Sequence, residues 1–207
     1  MVGFGKELAR LKEREDAVVL AHYYVDEAVQ AEADFVGDSY YLAKAAAGTG
    51  KSTIVFCGVR FMGESAKILN PARRVLLPDP SADCAMAHMA DPAQVAAARA
   101  QTDDLAVVCY INSTAQLKAV SDVCVTSSNA VKIVAALPQR NILFIPDDNL
   151  GSFVQKQLPE KRFHFLGGHC PVHTAVRAED VAAQKSARPR AAVLTHPECR
   201  PDIRALS

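Results

Sequence analysis

The stretch Gly167-Gly168-His169-Cys170-Pro171-Val172-His173 follows a strand-like run that ends at Leu166. Glycine and proline stop regular structure, so this stretch is predicted to be a loop that presents a cysteine and histidines at a strand end. Cys84, 86 residues earlier, also follows a strand-like run and is also followed by a histidine, His88. An alanine-rich segment with helical character comes after each cysteine. Because the same pattern occurs twice, we predict that the chain contains a structural repeat.

Other polar residues recur at nearly the same interval. His22, Tyr110 and His196 are separated by 88 and 86 residues, and Ser39 and Ser128 by 89 residues. Agreement among four intervals, including the one between the cysteines, indicates a repeated unit of about 87 residues.

The repeat predicts three segments with boundaries at 1–84, 85–170 and 171–207. The third segment is much shorter than the period, so counterparts of Ser128 and Cys170 would fall beyond residue 207. The sequence therefore leads us to expect an incomplete third repeat, in either a fragment of a longer protein or a truncated variant.

Apolar strand-like runs alternate with helical segments along the chain, which predicts an α/β fold with parallel sheets covered by helices. In such sheets, ligands bind beyond the carboxyl ends of the strands, where the recurring polar residues lie. The predicted strands are 17–21, 53–56, 74–77, 105–109, 123–125, 142–145, 163–166 and 191–194.

Composition narrows the classes of function. Half of the 207 residues are apolar, and 23 basic residues balance 23 acidic ones, so no overall charge attracts nucleic acid or an anionic membrane. No apolar run is long enough to cross a bilayer, and the N-terminus lacks the layout of a signal peptide. We expect a cytoplasmic protein that binds neither nucleic acid nor membranes.

Six cysteines suggest metal binding, because disulfides are disfavoured in the cytoplasm. Cys57, Cys109 and Cys124 lie in or beside apolar runs and are interpreted as core residues. Cys84 and Cys170 follow strand ends among polar residues and are interpreted as metal ligands. With a third thiolate from the third repeat they could hold a four-iron cluster that keeps one iron open as a Lewis acid. Zinc is the alternative, although a zinc site would require four neighbouring ligands.

Several motifs, in order along almost the whole chain, resemble those of the quinolinate synthase family, the iron–sulfur enzymes of bacterial NAD biosynthesis. They are Ala21-His22-Tyr23-Tyr24, Gly37-Asp38-Ser39, Phe56-Cys57-Gly58-Val59-Arg60-Phe61-Met62, Tyr110-Ile111-Asn112-Ser113, Thr126-Ser127-Ser128-Asn129, Pro146-Asp147, Cys170 to His173 and His196-Pro197-Glu198-Cys199.

The resemblance implies a fold, a cofactor and a reaction. The fold would be three αβα sandwich domains around a pseudo-threefold axis, here with an incomplete third domain. The reaction would be a transferase-type condensation of iminoaspartate with dihydroxyacetone phosphate, with loss of phosphate and two waters, to give quinolinate. The cofactor would be a [4Fe-4S] cluster whose third cysteine ligand is expected beyond residue 207. L-aspartate oxidase is a possible partner that supplies iminoaspartate.

The resemblance also implies roles for particular residues. Cys84 and Cys170 match cluster ligands, and Tyr24 matches a motif tyrosine beside the first histidine. The residues that match substrate contacts are His22, Ser39, Tyr110, Asn112, Ser128, His196 and Glu198.

Physical chemistry supports these roles. The histidines can move protons near neutral pH, Glu198 can act as a general acid or base, and Tyr24 and Tyr110 can donate to an oxyanion. The candidate catalytic residues are therefore His22, Tyr24, Tyr110, His196 and Glu198. Ser39 and Ser128 are each predicted to begin a helix, where free backbone N–H groups attract anions.

Two other functions and a simpler interpretation stay open. The chain could be a non-catalytic remnant or partial cluster carrier with two cysteine ligands, or a zinc-dependent αβα hydrolase. The serines could be helix caps alone. His88, His164 and His169 are interpreted as surface or cap residues, and His173 stays open as either a surface residue or a further residue of the site. Cys199 falls at the wrong phase of the repeat to replace the third ligand.

Overall fold

A computed structural model describes residues 2–207 and divides the chain into two compact units. The first ends at Cys84 and the second covers Ala85–Ser207. Each unit contains one parallel sheet of four strands. The α/β class and the parallel sheets predicted from the sequence are therefore confirmed.

In the first unit, strands and helices alternate from the start. The strands are β1 (Ala17–His22), β2 (Phe35–Gly37), β3 (Thr53–Cys57) and β4 (Arg74–Leu76), and the helices are α1 (Val2–Arg14), α2 (Glu27–Ala31), α3 (Ser39–Gly48) and α4 (Arg60–Leu69). The strand order across the sheet is β2-β1-β3-β4.

The second unit opens with a 3₁₀ turn, Ala85–His88, and then repeats this order. Its strands are β5 (Leu105–Tyr110), β6 (Val123–Val125), β7 (Asn141–Ile145) and β8 (Arg162–His164). Its helices are α5 (Pro92–Gln101), α6 (Ala115–Ala119), α7 (Ala130–Ala136), α8 (Asp148–Gln157), α9 (Pro171–Thr174), α10 (Ala178–Ala187) and α11 (Pro201–Arg204). The strand order is β6-β5-β7-β8, which matches the first sheet.

The two sheets agree in backbone detail at an offset of 88 residues. An aspartate in the left-handed region precedes each central strand, Asp16 with φ 44° and Asp104 with φ 52°. One carboxylate oxygen of each accepts from a backbone N–H next to the neighbouring strand, from Ser52 and from Arg140 respectively. These matched pairs are strong physical evidence that the units are copies of one design.

A second pair of aspartates fixes the edge of each sheet in the same way. Asp34 accepts a hydrogen bond from the Val19 backbone N–H at 2.8 Å, and Asp122 accepts one from the Val107 N–H at 2.7 Å. Because a buried backbone donor is costly to leave unpaired, each carboxylate extends the pairing beyond the short edge strand.

The second unit has three layers. Side chains at alternate positions of β5 and β7, among them Val107 and Leu143, pack with Val95 of α5 and Leu117 of α6. On the opposite face, Gly151 of α8 lies so close to the sheet that a Cβ there would meet Phe144 at 3.0 Å. Helices therefore cover both faces of this sheet, as an αβα sandwich requires.

Two sequence predictions need correction. Strand β2 was not predicted from the sequence, because Phe35–Gly37 follows a polar segment and ends in a glycine, whereas the equally short Val123–Val125 is apolar throughout. Residues 191–194 were predicted to be a strand but have no regular structure, and Leu194 is 94% exposed. A strand needs a hydrogen-bonded neighbour, and neither described sheet pairs with this segment.

Among residues 2–207, no helix combines the length and the apolar character that crossing a bilayer requires.

Candidate metal and acid–base site

Tyr110 and Glu198 form the buried centre of the site. Tyr110 is the last residue of β5 and is 6% exposed, so its hydroxyl needs a partner inside the protein. That partner is Glu198, which is 2% exposed and accepts the hydroxyl proton through Oε1. Glu198 lies 88 residues after Tyr110, two positions beyond His196, the counterpart of Tyr110 in the next repeat.

Two histidines surround the Glu198 carboxylate. Nδ1 of His173 lies 3.0 Å from Oε2, and Nδ1 of His196 lies 3.8 Å from Oε1. The two imidazole rings stack with their centroids 4.7 Å apart. Glu198 also lies in a tight turn, in which its backbone N–H donates to His196 Nδ1 at 3.3 Å. The carboxylate is thus held between a phenol and two imidazoles, a set that can hold or move a proton.

Cys170 joins this group through helix α9. It occupies the N-cap position before Pro171, and proline is well suited to the first turn of a helix. Residues three apart lie on the same side of a helical turn, which brings His173 Nδ1 to 3.1 Å from the Cys170 sulfur. The ligating atoms of Cys170, His173 and Glu198 all lie within 4.8 Å of one another. A thiolate, an imidazole and a carboxylate this close together can bind a metal ion.

Asp147 holds the backbone of Cys170 in place. Its side chain is completely buried at the end of β7. One oxygen accepts the Leu150 N–H at 2.8 Å and caps α8, and the other accepts the Cys170 N–H at 2.9 Å. Burial raises the pKa of Asp147 to about 6 despite the Leu150 hydrogen bond, and the Glu198 charge contributes to the rise. This carboxylate links the end of β7 to the cysteine loop.

We expect Asp147→Asn to lower the free energy of unfolding by about 1 kcal/mol or more. Asparagine removes the cost of burying a charge, but its single oxygen cannot accept both N–H groups, so one buried donor loses its partner. Asp180→Asn is the control, because that side chain is 71% exposed on α10. Urea denaturation of the two variants measures the effect, and equal stability would show that Asp147 does not anchor the loop.

Burial controls the protonation of the site. It raises the pKa of Tyr110, with a further rise from Glu198, and raises the pKa of the Cys170 thiol to about 11. It lowers the pKa of His196. Each shift favours the neutral form of the side chain. A cation bound among these groups would favour the thiolate instead, because metal binding displaces the thiol proton.

The first unit presents its candidate residues at the end of β1 and the start of α3. His22 ends β1, and burial lowers its pKa. The Tyr24 ring meets the His22 ring edge-on at 4.6 Å and is 88% exposed. Ser39 begins α3 as predicted, while Asp38 is the N-cap. Cys84 is half-buried at the end of the unit, and its N–H donates to Asp83 Oδ1 at 2.8 Å.

One helix start differs from the prediction. Ser128 does not begin α7, because Asn129 occupies the N-cap and its side chain accepts the Thr126 N–H at 2.7 Å. The Ser128 and Thr126 hydroxyls share a hydrogen bond of 2.9 Å within this turn. The side-chain turn delays the start of the helix by two residues, from Ser128 to Ala130. Asn112 is half-buried in the loop after β5.

Of the sequence-predicted residues, the second unit brings together Tyr110, His196, Glu198 and Cys170. Sequence reasoning left His173 open and missed the anchoring role of Asp147. The signal for His173 was local, because Cys-Pro-x-His with proline at the first helical position places cysteine and histidine on one side of a turn. Nothing local indicated that Asp147 would meet Cys170, which lies 23 residues further along the chain.

The comparisons with known proteins agree with one another. The family model described as quinolinate synthetase A protein (NadA) matches residues 6–207. The chain is 52% identical over 196 residues to a quinolinate synthase of Fusobacterium nucleatum and 51% identical over 197 residues to one of Caldicellulosiruptor bescii. The alignments cover 95% of this chain and 66% and 65% of the relatives, so the chain spans just under two thirds of their length. The chain belongs to the quinolinate synthase family.

Proposed function

We propose that the chain serves quinolinate synthesis, the condensation of iminoaspartate with dihydroxyacetone phosphate. The observation that carries the proposal is the group formed by Cys170, His173 and Glu198, whose ligating atoms lie within 4.8 Å of one another. Relatives of about 50% identity are named quinolinate synthase, which supports this reaction over others that a metal and acid–base site could perform.

The cofactor we propose is a [4Fe-4S] cluster held in part by Cys84 and Cys170. The donor set around Cys170 suits a metal centre, because a thiolate is flanked by an imidazole and a carboxylate. When bound, the cluster would supply a Lewis acid that polarises a hydroxyl or carboxylate of the substrate. The cysteines hold it, and Asp147 fixes the backbone of one of them.

The remaining roles belong to side chains of this chain. Glu198 is proposed to accept and return protons, since it is buried and hydrogen-bonded to Tyr110. Tyr110 would donate to oxygen atoms that gain negative charge, and His196 would orient the carboxylate. We assign substrate contact to these three and to His22, Ser39, Asn112 and Ser128, and Tyr24 assists His22.

Ser39 suits an anionic substrate. It is the first residue of α3, where backbone N–H groups have no partner within the helix and the helix dipole favours negative charge. Both substrates are anions, with carboxylates on one and a phosphate on the other. We further propose a cytoplasmic location and L-aspartate oxidase as the source of iminoaspartate.

The test is reconstitution without oxygen. The purified chain is incubated with ferrous iron and sulfide, its metal and sulfide contents are measured, and quinolinate is quantified by mass spectrometry after addition of both substrates. Bound iron and sulfide with quinolinate formation would support the proposal. A bound cluster without turnover would instead favour a cluster carrier, and stoichiometric zinc without sulfide would favour a zinc hydrolase.

A further inference from the structure

Two cysteines outside the candidate site face each other across neighbouring strands. Cys109 of β5 and Cys124 of β6 are direct partners in the parallel register of the second sheet. Directly paired residues of adjacent strands project to the same face of a sheet. The two side chains lie close enough to shift each other's pKa.

This spacing suits a covalent bond between the two sulfurs. Neighbouring strands lie about 4.8 Å apart, and disulfides join residues whose Cα atoms are roughly 4.4–6.8 Å apart. Because the two residues are direct partners and project to the same face, closure needs a side-chain rotation and no large movement of the backbone.

The two thiols have different surroundings. Cys109 belongs to the core beneath α5 and α6 and is completely buried, whereas Cys124 packs against that core and is only half-buried. The hydrogen bond from Cys109, aided by the charge of Lys118, lowers the pKa of Cys124 to about 7. The same hydrogen bond and burial raise the pKa of Cys109. Cys124 is therefore the accessible, more nucleophilic thiol, and Cys109 is the protected one.

We infer that Cys109 and Cys124 form an oxidation site that closes to an intramolecular disulfide when the protein meets a hydroperoxide. Cys124 loses its proton and its thiolate attacks a peroxide oxygen, so that an S–O bond forms, the O–O bond breaks, and the departing hydroxide takes up that proton and leaves as water. Cys109 then gives up its proton and attacks the Cys124 sulfur, which forms the S–S bond and releases a second water. The two thiols lose two electrons in total, and hydrogen peroxide takes them up as it becomes two waters.

This inference is independent of the proposed catalytic function, since it uses no residue of the candidate site. Cytoplasmic disulfides are mostly transient and redox-sensing, and a bond between adjacent parallel strands would be of that kind. Cys109 immediately precedes Tyr110 at the end of β5, so the disulfide would restrain the strand end that carries the buried tyrosine.

Peptide mapping tests the inference, because trypsin cleaves between the two cysteines at Lys118. Cys109 lies in the tryptic peptide 100–118 and Cys124 in the peptide 119–132, and each peptide contains one cysteine. The full chain is treated with hydrogen peroxide, its free thiols are alkylated, and the digest is analysed by mass spectrometry before and after dithiothreitol. We expect the two peptides to appear as a linked pair that dithiothreitol separates.

Two variants sharpen the test. Cys109→Ala should leave Cys124 as a sulfenic acid that dimedone traps, and Cys124→Ala should leave Cys109 reduced because it is buried. Cys57→Ala is the matched control, since Cys57 is also a half-buried strand cysteine but is paired with Ala21, and the linked pair should form in it unchanged. Separate peptides in the oxidised wild-type chain, with either cysteine still free or oxidised alone, would overturn the inference.

Discussion

Replacing Glu198 with glutamine should lower quinolinate formation by about 100-fold or more, the usual loss when a positioned general acid or base is removed. Glutamine keeps the volume of the side chain but cannot exchange a proton or carry the charge that faces His173 and His196. It can still accept the Tyr110 hydroxyl proton through its oxygen, so the fold should survive. Steady-state turnover of the reconstituted protein measures the effect, with circular dichroism as the check on folding.

Glu179→Gln is the matched control for this substitution. Its side chain is 75% exposed on α10, where it meets Arg177 at 3.5 Å, and it should turn over like the wild type. If Glu198→Gln kept more than a tenth of wild-type turnover, Glu198 would not be the acid–base residue of the site.

Replacing Gly168 with alanine should both destabilise the second unit and displace Cys170. A Cβ at this position would collide with the backbone oxygen of Pro146 and lie 3.1 Å from the Met89 Cβ. A backbone carbonyl cannot rotate away as a flexible side chain does, so the cysteine loop or the end of β7 must move. Overpacking of this kind costs about 1–3 kcal/mol. The midpoint temperature of thermal unfolding and the iron content after reconstitution should both fall.

Gly48→Ala is the control, because a Cβ there meets nothing within 4 Å. It lies at the end of α3, where alanine should be neutral or slightly stabilising. If Gly168→Ala unfolded at the wild-type temperature, the close approach of the cysteine loop to Pro146 would not be a feature of the folded protein.

Much of the fold could be predicted from the sequence because the signal is long and repeated. Buried parallel strands such as Ala17–His22 are nearly continuous apolar runs. Because the sequence pattern recurs in both units, most elements could be recognised twice. The same recurrence could have revealed β2, since Phe35–Gly37 corresponds to Val123–Val125 at an offset of 88 residues. The strand predicted at 191–194 was wrong for a different reason. An apolar run shows strand propensity but does not show whether a neighbouring strand will pair with it.

The site was only partly predictable. Tyr110, Cys170, His196 and Glu198 could be identified because they follow strand ends or match family motifs. The distances among them depend on tertiary packing, which a pattern along the chain does not contain. His173 enters the site through the helical turn after Cys170, and Asp147 through a hydrogen bond to a distant backbone N–H. The pair Cys109 and Cys124 was interpreted as core, and its contact depends on strand register.

Our central proposal is that thiolates from two repeats, Cys84 and Cys170, hold one iron–sulfur cluster. The most direct test is the iron and sulfide content of Cys84→Ser and Cys170→Ser after anaerobic reconstitution, with Cys57→Ser as the control. We predict that either site variant loses the iron and the sulfide together, while the control binds both in equal amounts like the wild type. A Cys84→Ser or Cys170→Ser protein with wild-type iron and sulfide would contradict the claim.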